Sequence, residues 1–216
     1  HLNKNIEEAL GCVWELRERK IQEAQEVKKR LGESVDAGLY QALLEEKFII
    51  ESSAKAVLTK TGEELARDII RRQRLAERLL ADVLEISGKL MDSVACEFEH
   101  IISPEVEESI CTLLGHPKQC PHGSAIPAGE CCLQKEDVLK SIVMTLDRLK
   151  QGERSKIVYM LSHAHPELHK LFSLGLVPGS KIKVHQTFPT LVVDIEGEQQ
   201  IAMDNEVAKN IYVKKL

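Results

Sequence analysis

Hydrophobic periodicity changes character once along this chain, near Gly152. Before that point, one short hairpin-like stretch aside, apolar residues recur at helical spacing. After it they fall in short alternating runs separated by turn residues. The sequence therefore reads as mainly α with a small β part. Its 216 residues suit one large domain or two to three small ones. Only 4% are aromatic, so the cores must be aliphatic.

The first helix is expected from about Asn5 to Arg19, with Ile6, Ala9, Leu10, Val13 and Leu16 on one stripe. A second is expected from about Ile21 to Leu31. Gly32-Glu33-Ser34 then reads as a turn, with Ser34 as N-cap of a third helix from about Val35 to Glu46. The β-prone runs Phe48–Glu51 and Ala56–Thr59 predict a hairpin. Thr61 and Glu64 form a capping-box pattern at the start of a long helix through Arg78. This order is the layout of a winged helix-turn-helix; a generic helical bundle gives the hairpin no purpose. Ser103-Pro104 opens a further helix, and Gly115 to Pro127 reads as a loop. A helix is expected from about Lys135 to Leu149. Beyond it, five short strands and a brief helix from Pro166 to Leu174 read as a small SH3-like β-barrel.

One turn near residue 100 carries the chemistry. Cys96, Glu99 and His100 stand at i, i+3 and i+4, on one face at the end of a long amphipathic helix. A thiol, a carboxylate and an imidazole together suit a borderline divalent cation such as Fe2+, Mn2+, Co2+ or Zn2+. They do not suit Ca2+ or Mg2+, which take oxygen ligands. A second constellation, Cys120, His122, Cys131 and Cys132, has the donors for structural Zn2+ or an Fe–S centre; redox-active thiols are the alternative. Six cysteines next to His and Glu in a chain this long read as metal chemistry in a reducing cytoplasm, not as a disulfide scaffold. Cys12 and Cys111 fall on apolar helix faces and read as core.

Several classes are disfavoured. No apolar run reaches the ~18 residues of a membrane span. No Ser-His-Asp set, phosphate loop or dinucleotide fingerprint appears, so an enzyme is not expected. The net charge of −5 argues against unaided nonspecific nucleic-acid binding.

The stretches Arg74–Leu80, Ala95–His100 and Ser103–Glu107 resemble the diphtheria-toxin-repressor family of metal-dependent transcriptional regulators. His169–Gly179 and Ile201–Ala208 are similar to the ferrous-transport A-type domain. The resemblance implies a winged helix-turn-helix DNA-binding domain (1–62), a helical metal-binding and dimerisation domain (63–127), a Cys-containing linker and helix (128–150) and an SH3-like domain (151–216). It also implies a primary site of Glu8, Cys96, Glu99 and His100, for Fe2+ with tolerance of Mn2+, Co2+ or Zn2+. The alternative for Glu8 is a solvated carboxylate beside Glu7. An ancillary site would draw on Glu77, Asp92, His163, His165 and Glu167; surface salt bridges are the alternative there. The expected partners are double-stranded operator DNA and a second copy of the chain, with no membrane. Metal bridging the first helix to the turn near residue 100 would set the dimer for DNA, repressing metal-uptake genes.

The recognition helix fits this least well. Lys28, Lys29, Arg30, Ser34, Tyr40, Gln41 and Lys55 are the DNA-binding candidates, but Asp36, Glu45 and Glu46 would repel phosphate. A metal- or redox-responsive protein-interaction module with weakened DNA binding therefore stays open.

Overall fold

The computed structural model describes residues 3–36, 38–133, 143–161, 168–197 and 199–216. The chain forms two compact units: His1–Glu77 with Asp92–Pro104 and Lys118–Ala128, and Arg78–Met91 with Glu105–Pro117 and Gly129–Leu216.

The first unit holds the winged helix: α1 (Lys4–Glu18), α2 (Ala24–Ser34), α3 (Leu39–Glu45), β1 (Ile49–Ser52), β2 (Lys55–Leu58) and the start of α4 (Lys60–Asp82). The apolar stripe of α1 is buried as its spacing requires: Ala9, Leu10, Val13 and Leu16 pack with Val27, Leu31, Leu43, Ile49 and Ile69. The hairpin turns on Ser53 and Ala54, both at positive φ, as a tight two-residue connection demands.

Helix boundaries differ from the sequence expectation for local reasons. α2 starts at Ala24, not Ile21, because the preceding residues pair with the hairpin: Ala56 N–H donates to the Gln22 carbonyl at 2.8 Å and Ala24 N–H to that of Ala54 at 2.9 Å. Ser34 does not cap α3. Its hydroxyl donates back to the Arg30 carbonyl at 2.8 Å, so α2 continues through Gly32 and Glu33. Asp36 instead accepts the Gly38 N–H at 2.6 Å, and α3 has only seven residues. Thr59, not Thr61, caps α4: its Oγ1 accepts the Gly62 N–H at 3.1 Å.

α5 (Gly88–Glu99) has 12 residues, shorter than the long helix expected, and ends just before His100. α6 runs Pro104–Leu113, and a single helical turn, α7, spans Glu130–Leu133. The expected helix from Lys135 to Leu149 fails where it is described. Met144–Thr145 is a strand, β3, paired with Val213 and Tyr212, and Leu146–Arg148 is a 3-10 turn. The remaining β elements are β4 (Arg154–Met160), β5 (Lys181–Gln186), β6 (Leu191–Ile195), β7 (Gln199–Met203) and β8 (Ile211–Lys215). The antiparallel sheet has the order β3-β8-β4-β5-β6-β7, the SH3-like domain expected. α8 (Leu168–Ser173) and α9 (Asn205–Ala208) contribute Leu168, Leu171, Val207 and Ala208 to its aliphatic core.

Candidate metal centres

The end of α5 lies against the start of α1 within the first unit. One donor atom each of Glu8, Cys96 and His100 lies within 4.8 Å of the other two. Glu8 Oε1 and Glu99 Oε1 stand 3.7 and 3.6 Å from His100 Nε2, though Glu99 lies outside that mutual set. Cys96 reaches the site because α5 places it one turn before His100. Glu97, on the outer face, pairs with Lys4 at 2.7 Å.

The site is rich in negative charge and poor in partners. The Glu99 side chain is only 4% exposed. Burial pushes its carboxyl up to about 8; Arg72 opposes the shift, and the Glu7 and Glu8 carboxylates add to it. Burial also pushes the Cys96 thiol up, with Glu99 and Glu8 adding. Among the described residues, Glu99 Oε2 and His100 Nε2 are buried without a hydrogen-bond partner. Buried polar atoms are rarely left so. A divalent cation would meet both shortfalls, and one sulfur, one nitrogen and carboxylate oxygens fit a borderline transition metal.

Glu7 was not singled out by sequence reasoning. Its Oε2 lies 2.5 Å from His100 Nδ1, and its other oxygen 3.6 Å from Arg72. Such a carboxylate fixes the imidazole tautomer and turns Nε2 toward a metal. The only sequence signal was two adjacent glutamates on α1, which helical geometry sends to different sides of the ring. Glu7→Gln is expected to weaken metal affinity by about 10- to 100-fold, the usual cost of losing such a partner. Titration with Mn2+ checks this. Thermal melting in chelator should stay within the few degrees that correspond to about 1 kcal/mol.

A second cluster in the same unit joins Glu77, Cys120 and His122, again within 4.8 Å. His122 Nδ1 is 3.3 Å from Glu77 and its Nε2 is 3.3 Å from Asp92. The loop carrying Cys120 and His122 is tied to α4. The Arg71 guanidinium donates to the Pro127 carbonyl at 2.6 Å, and Arg74 donates to Glu18 and to the Ala125 carbonyl. His163, His165 and Glu167 lie outside the described residues.

The expected grouping of Cys120, His122, Cys131 and Cys132 is corrected. Cys120 and His122 turn to Glu77 in the first unit, whereas Cys131 and Cys132 gather with Cys111 and His116 in the second. Cys111 is buried, as expected, but it is not merely core. Cys12 is half-buried, with its sulfur 3.7 Å from Ser34 Oγ.

The DNA-binding candidates fare unevenly. Tyr40 is 3% exposed and its hydroxyl donates to Glu51 at 2.8 Å, so it packs in the core instead of facing a groove. Ser34 is committed to the Arg30 carbonyl and Arg30 to Glu26. Lys29 lies 3.8 Å from Glu33. Gln41 is exposed and donates to Glu45 at 3.2 Å; Lys28 and Lys55 are exposed.

Residues 59–128 match the metal binding and dimerisation domain of the iron dependent repressors, and residues 144–215 match the FeoA domain. The iron-dependent repressor IdeR of Mycobacterium leprae (strain TN) is 27% identical over 172 residues, spanning 74% of this chain and 73% of that protein. The diphtheria toxin repressor of Corynebacterium diphtheriae is 35% identical over 79 residues, 37% of this chain and 35% of that one. The solved structure of the manganese regulator SloR shares the fold, with a TM-score of 0.52 at 23% identity and full coverage of both chains.

Proposed function

Because the chain belongs to the diphtheria-toxin-repressor family of metal-dependent regulators, with a FeoA domain in its C-terminal part, we propose that it represses metal-uptake genes when Fe2+ is plentiful. The observation that carries this reading is the convergence of Glu8, Cys96 and His100, beside two buried polar atoms without partners. Glu8, Cys96, Glu99 and His100 would hold the cation, and Mn2+, Co2+ and Zn2+ suit the same donors. When bound, the metal would add to the positive charge that Arg72 and Lys4 bring to this carboxylate-rich pocket.

Glu8 stands on α1, inside the winged helix, while Cys96 and His100 stand at the end of α5. Drawing the two together favours one orientation of the DNA-binding helices, by as much as the ligands bind better in that orientation. In a twofold dimer that orientation sets the spacing between recognition helices to match two half-sites on operator DNA. Glu77, Cys120 and His122, with Asp92 beside them, would form the ancillary site in place of a barrel histidine. A regulator that binds operator DNA would act in the cytoplasm. Among the described residues no helix is long and apolar enough to cross a membrane. The functional division would follow 1–62 for DNA and 63–127 for metal and dimerisation, with the SH3-like domain beginning near Met144 instead of residue 151, since β3 pairs with β8 and residues 144–215 match the FeoA domain.

The dimer reading is supported by Leu90 and Val94, one turn apart on α5 and 62% and 37% exposed. Replacing both with Glu is expected to turn the dimer into a monomer in sedimentation equilibrium. A dimer of unchanged strength would remove this face from the interface.

Promoter fragments mixed anaerobically with the protein test the main reading. Retention in the presence of Fe2+ and release by chelator is the expected result; equal retention in both would reject it. The second reading, a metal-responsive module that docks a protein, is favoured by one observation. α3 buries Tyr40 and offers Gln41 already paired with Glu45. Absence of any DNA retention with metal bound would favour it.

A further inference from the structure

We propose that Cys111, His116, Cys131 and Cys132 form a closed structural Zn2+ site in the second unit, separate from the sensing chemistry. One donor atom from each lies within 4.8 Å of the other three. Local folding brings them there. Cys111 sits in the last turn of α6, fully buried. The chain then reverses at Gly115 and His116, both at positive φ, and His116 N–H donates to the Cys111 carbonyl at 2.8 Å. The reversal folds the imidazole back so that Nδ1 is 3.5 Å from Cys111 Sγ. The single turn of α7, closed by Cys132 N–H donating to the Gly129 carbonyl at 3.0 Å, delivers the other two thiols.

Four of the six donor separations match those of a tetrahedron around zinc, and the other two lie within 4.8 Å. Two sulfurs each ~2.3 Å from Zn2+ at the tetrahedral angle lie about 3.8 Å apart, and a sulfur and a nitrogen about 3.6 Å apart. The Sγ atoms of Cys111 and Cys132 are 3.6 Å apart, and those of Cys131 and Cys132 are 3.8 Å apart. Cys132 Sγ to His116 Nδ1 is 3.7 Å, beside the 3.5 Å from Cys111. Four protein donors leave no open position, which marks a structural centre and not a catalytic one. Three thiolates and an imidazole also form a far softer set than Glu8, Cys96 and His100, so the two sites select different metals. Bound Zn2+ would pin the end of α6 to the turn at residues 130–133. None of this depends on the Glu8–His100 site being regulatory.

The test uses the full chain, purified anaerobically with reductant, stripped of metal and loaded with Co2+. The expected result is thiolate-to-cobalt charge transfer in the near ultraviolet with intense tetrahedral bands in the visible, bleached by one equivalent of Zn2+. A Cys96→Ser, Cys120→Ser double variant should keep these bands, since it removes the sulfurs of the other two clusters. Cys132→Ser should weaken and shift them and lower bound Zn2+ by one per chain. Bands absent from the parent chain, or lost in the double variant, would overturn the assignment. So would iron with acid-labile sulfide in the protein as isolated, or a Cys111–Cys132 disulfide that persists in reductant. If Cys132→Ser does not fold, the parent and double-variant spectra still decide the question.

Discussion

His100→Ala is expected to leave the promoter unbound at Fe2+ concentrations that saturate the parent chain. The imidazole is the only nitrogen donor in the Glu8, Cys96, His100 set, and its Nε2 is buried without a partner among the described residues. Losing only an orienting neighbour of a metal ligand costs about 10- to 100-fold in affinity. Losing the ligand itself should cost more. Metal and DNA are coupled only if binding at one site changes affinity at the other, commonly by about 5- to 150-fold. In His100→Ala that factor should fall to one, with the dimer intact by sedimentation. Glu8→Gln should weaken the coupling for a different reason, because it removes the ligand that α1 contributes while keeping the imidazole and the Glu7–His100 and Lys4–Glu97 contacts. A variant of either kind that still responds fully to Fe2+ would remove the site from the mechanism.

Gly62→Ala is expected to cost the fold about 3 kcal/mol or more, close to the upper range for overpacked positions. A Cβ at Gly62 would lie 1.9 Å from the Phe48 carbonyl oxygen, a backbone atom that cannot swing aside. Relief means moving the start of α4 away from β1, which also breaks the bond from Gly62 N–H to Thr59 Oγ1, worth about 1 kcal/mol as a cap. For a domain of this size the melting point should fall by about 6–12 °C. Gly11→Ala is the matched control. Its Cβ would meet Ile69 at 3.6 Å, an ordinary contact, and alanine within α1 gains up to about 1 kcal/mol over glycine. Calorimetry should therefore show one glycine to be indispensable and the other replaceable. Equal shifts would mean that the close approach at Phe48 is not real.

Much of the architecture was legible because it rests on periodicity. The α1 stripe, the hairpin and the strands from Arg154 to Lys215 follow directly from the spacing of apolar residues. The misplaced boundaries at the end of α2 and the start of α4 share a cause: short polar side chains choose among several backbone partners. Ser34 has the right identity to cap α3, yet its hydroxyl takes the Arg30 carbonyl, and α3 starts after Gly38 with no side-chain cap. The metal donors divide in the same way. Cys96 and His100 share a helical turn, so their approach could be read from i and i+4; Glu99, at i+3, comes near the imidazole but stands outside the mutual set. Cys120, His122, Cys131 and Cys132 lie close in sequence but on a loop and the single turn of α7, where spacing says little about direction. Their neighbours come from elsewhere: Glu77 from α4 in one case, and Cys111 from α6 with His116 from the reversal after it in the other. Tyr40 looked like a groove reader because it is amphipathic; its bond to Glu51 shows the polar tip satisfied from within.

The decisive measurement is an anomalous-difference map from crystals of the protein loaded anaerobically with Mn2+ or Fe2+. A peak should lie within about 2.0–2.4 Å of donor atoms of Glu8, Cys96 and His100, distances usual for such ligands. Density elsewhere with none at that point, and Cys96 and His100 turned away from Glu8, would mean that no cation joins the winged helix to the end of α5.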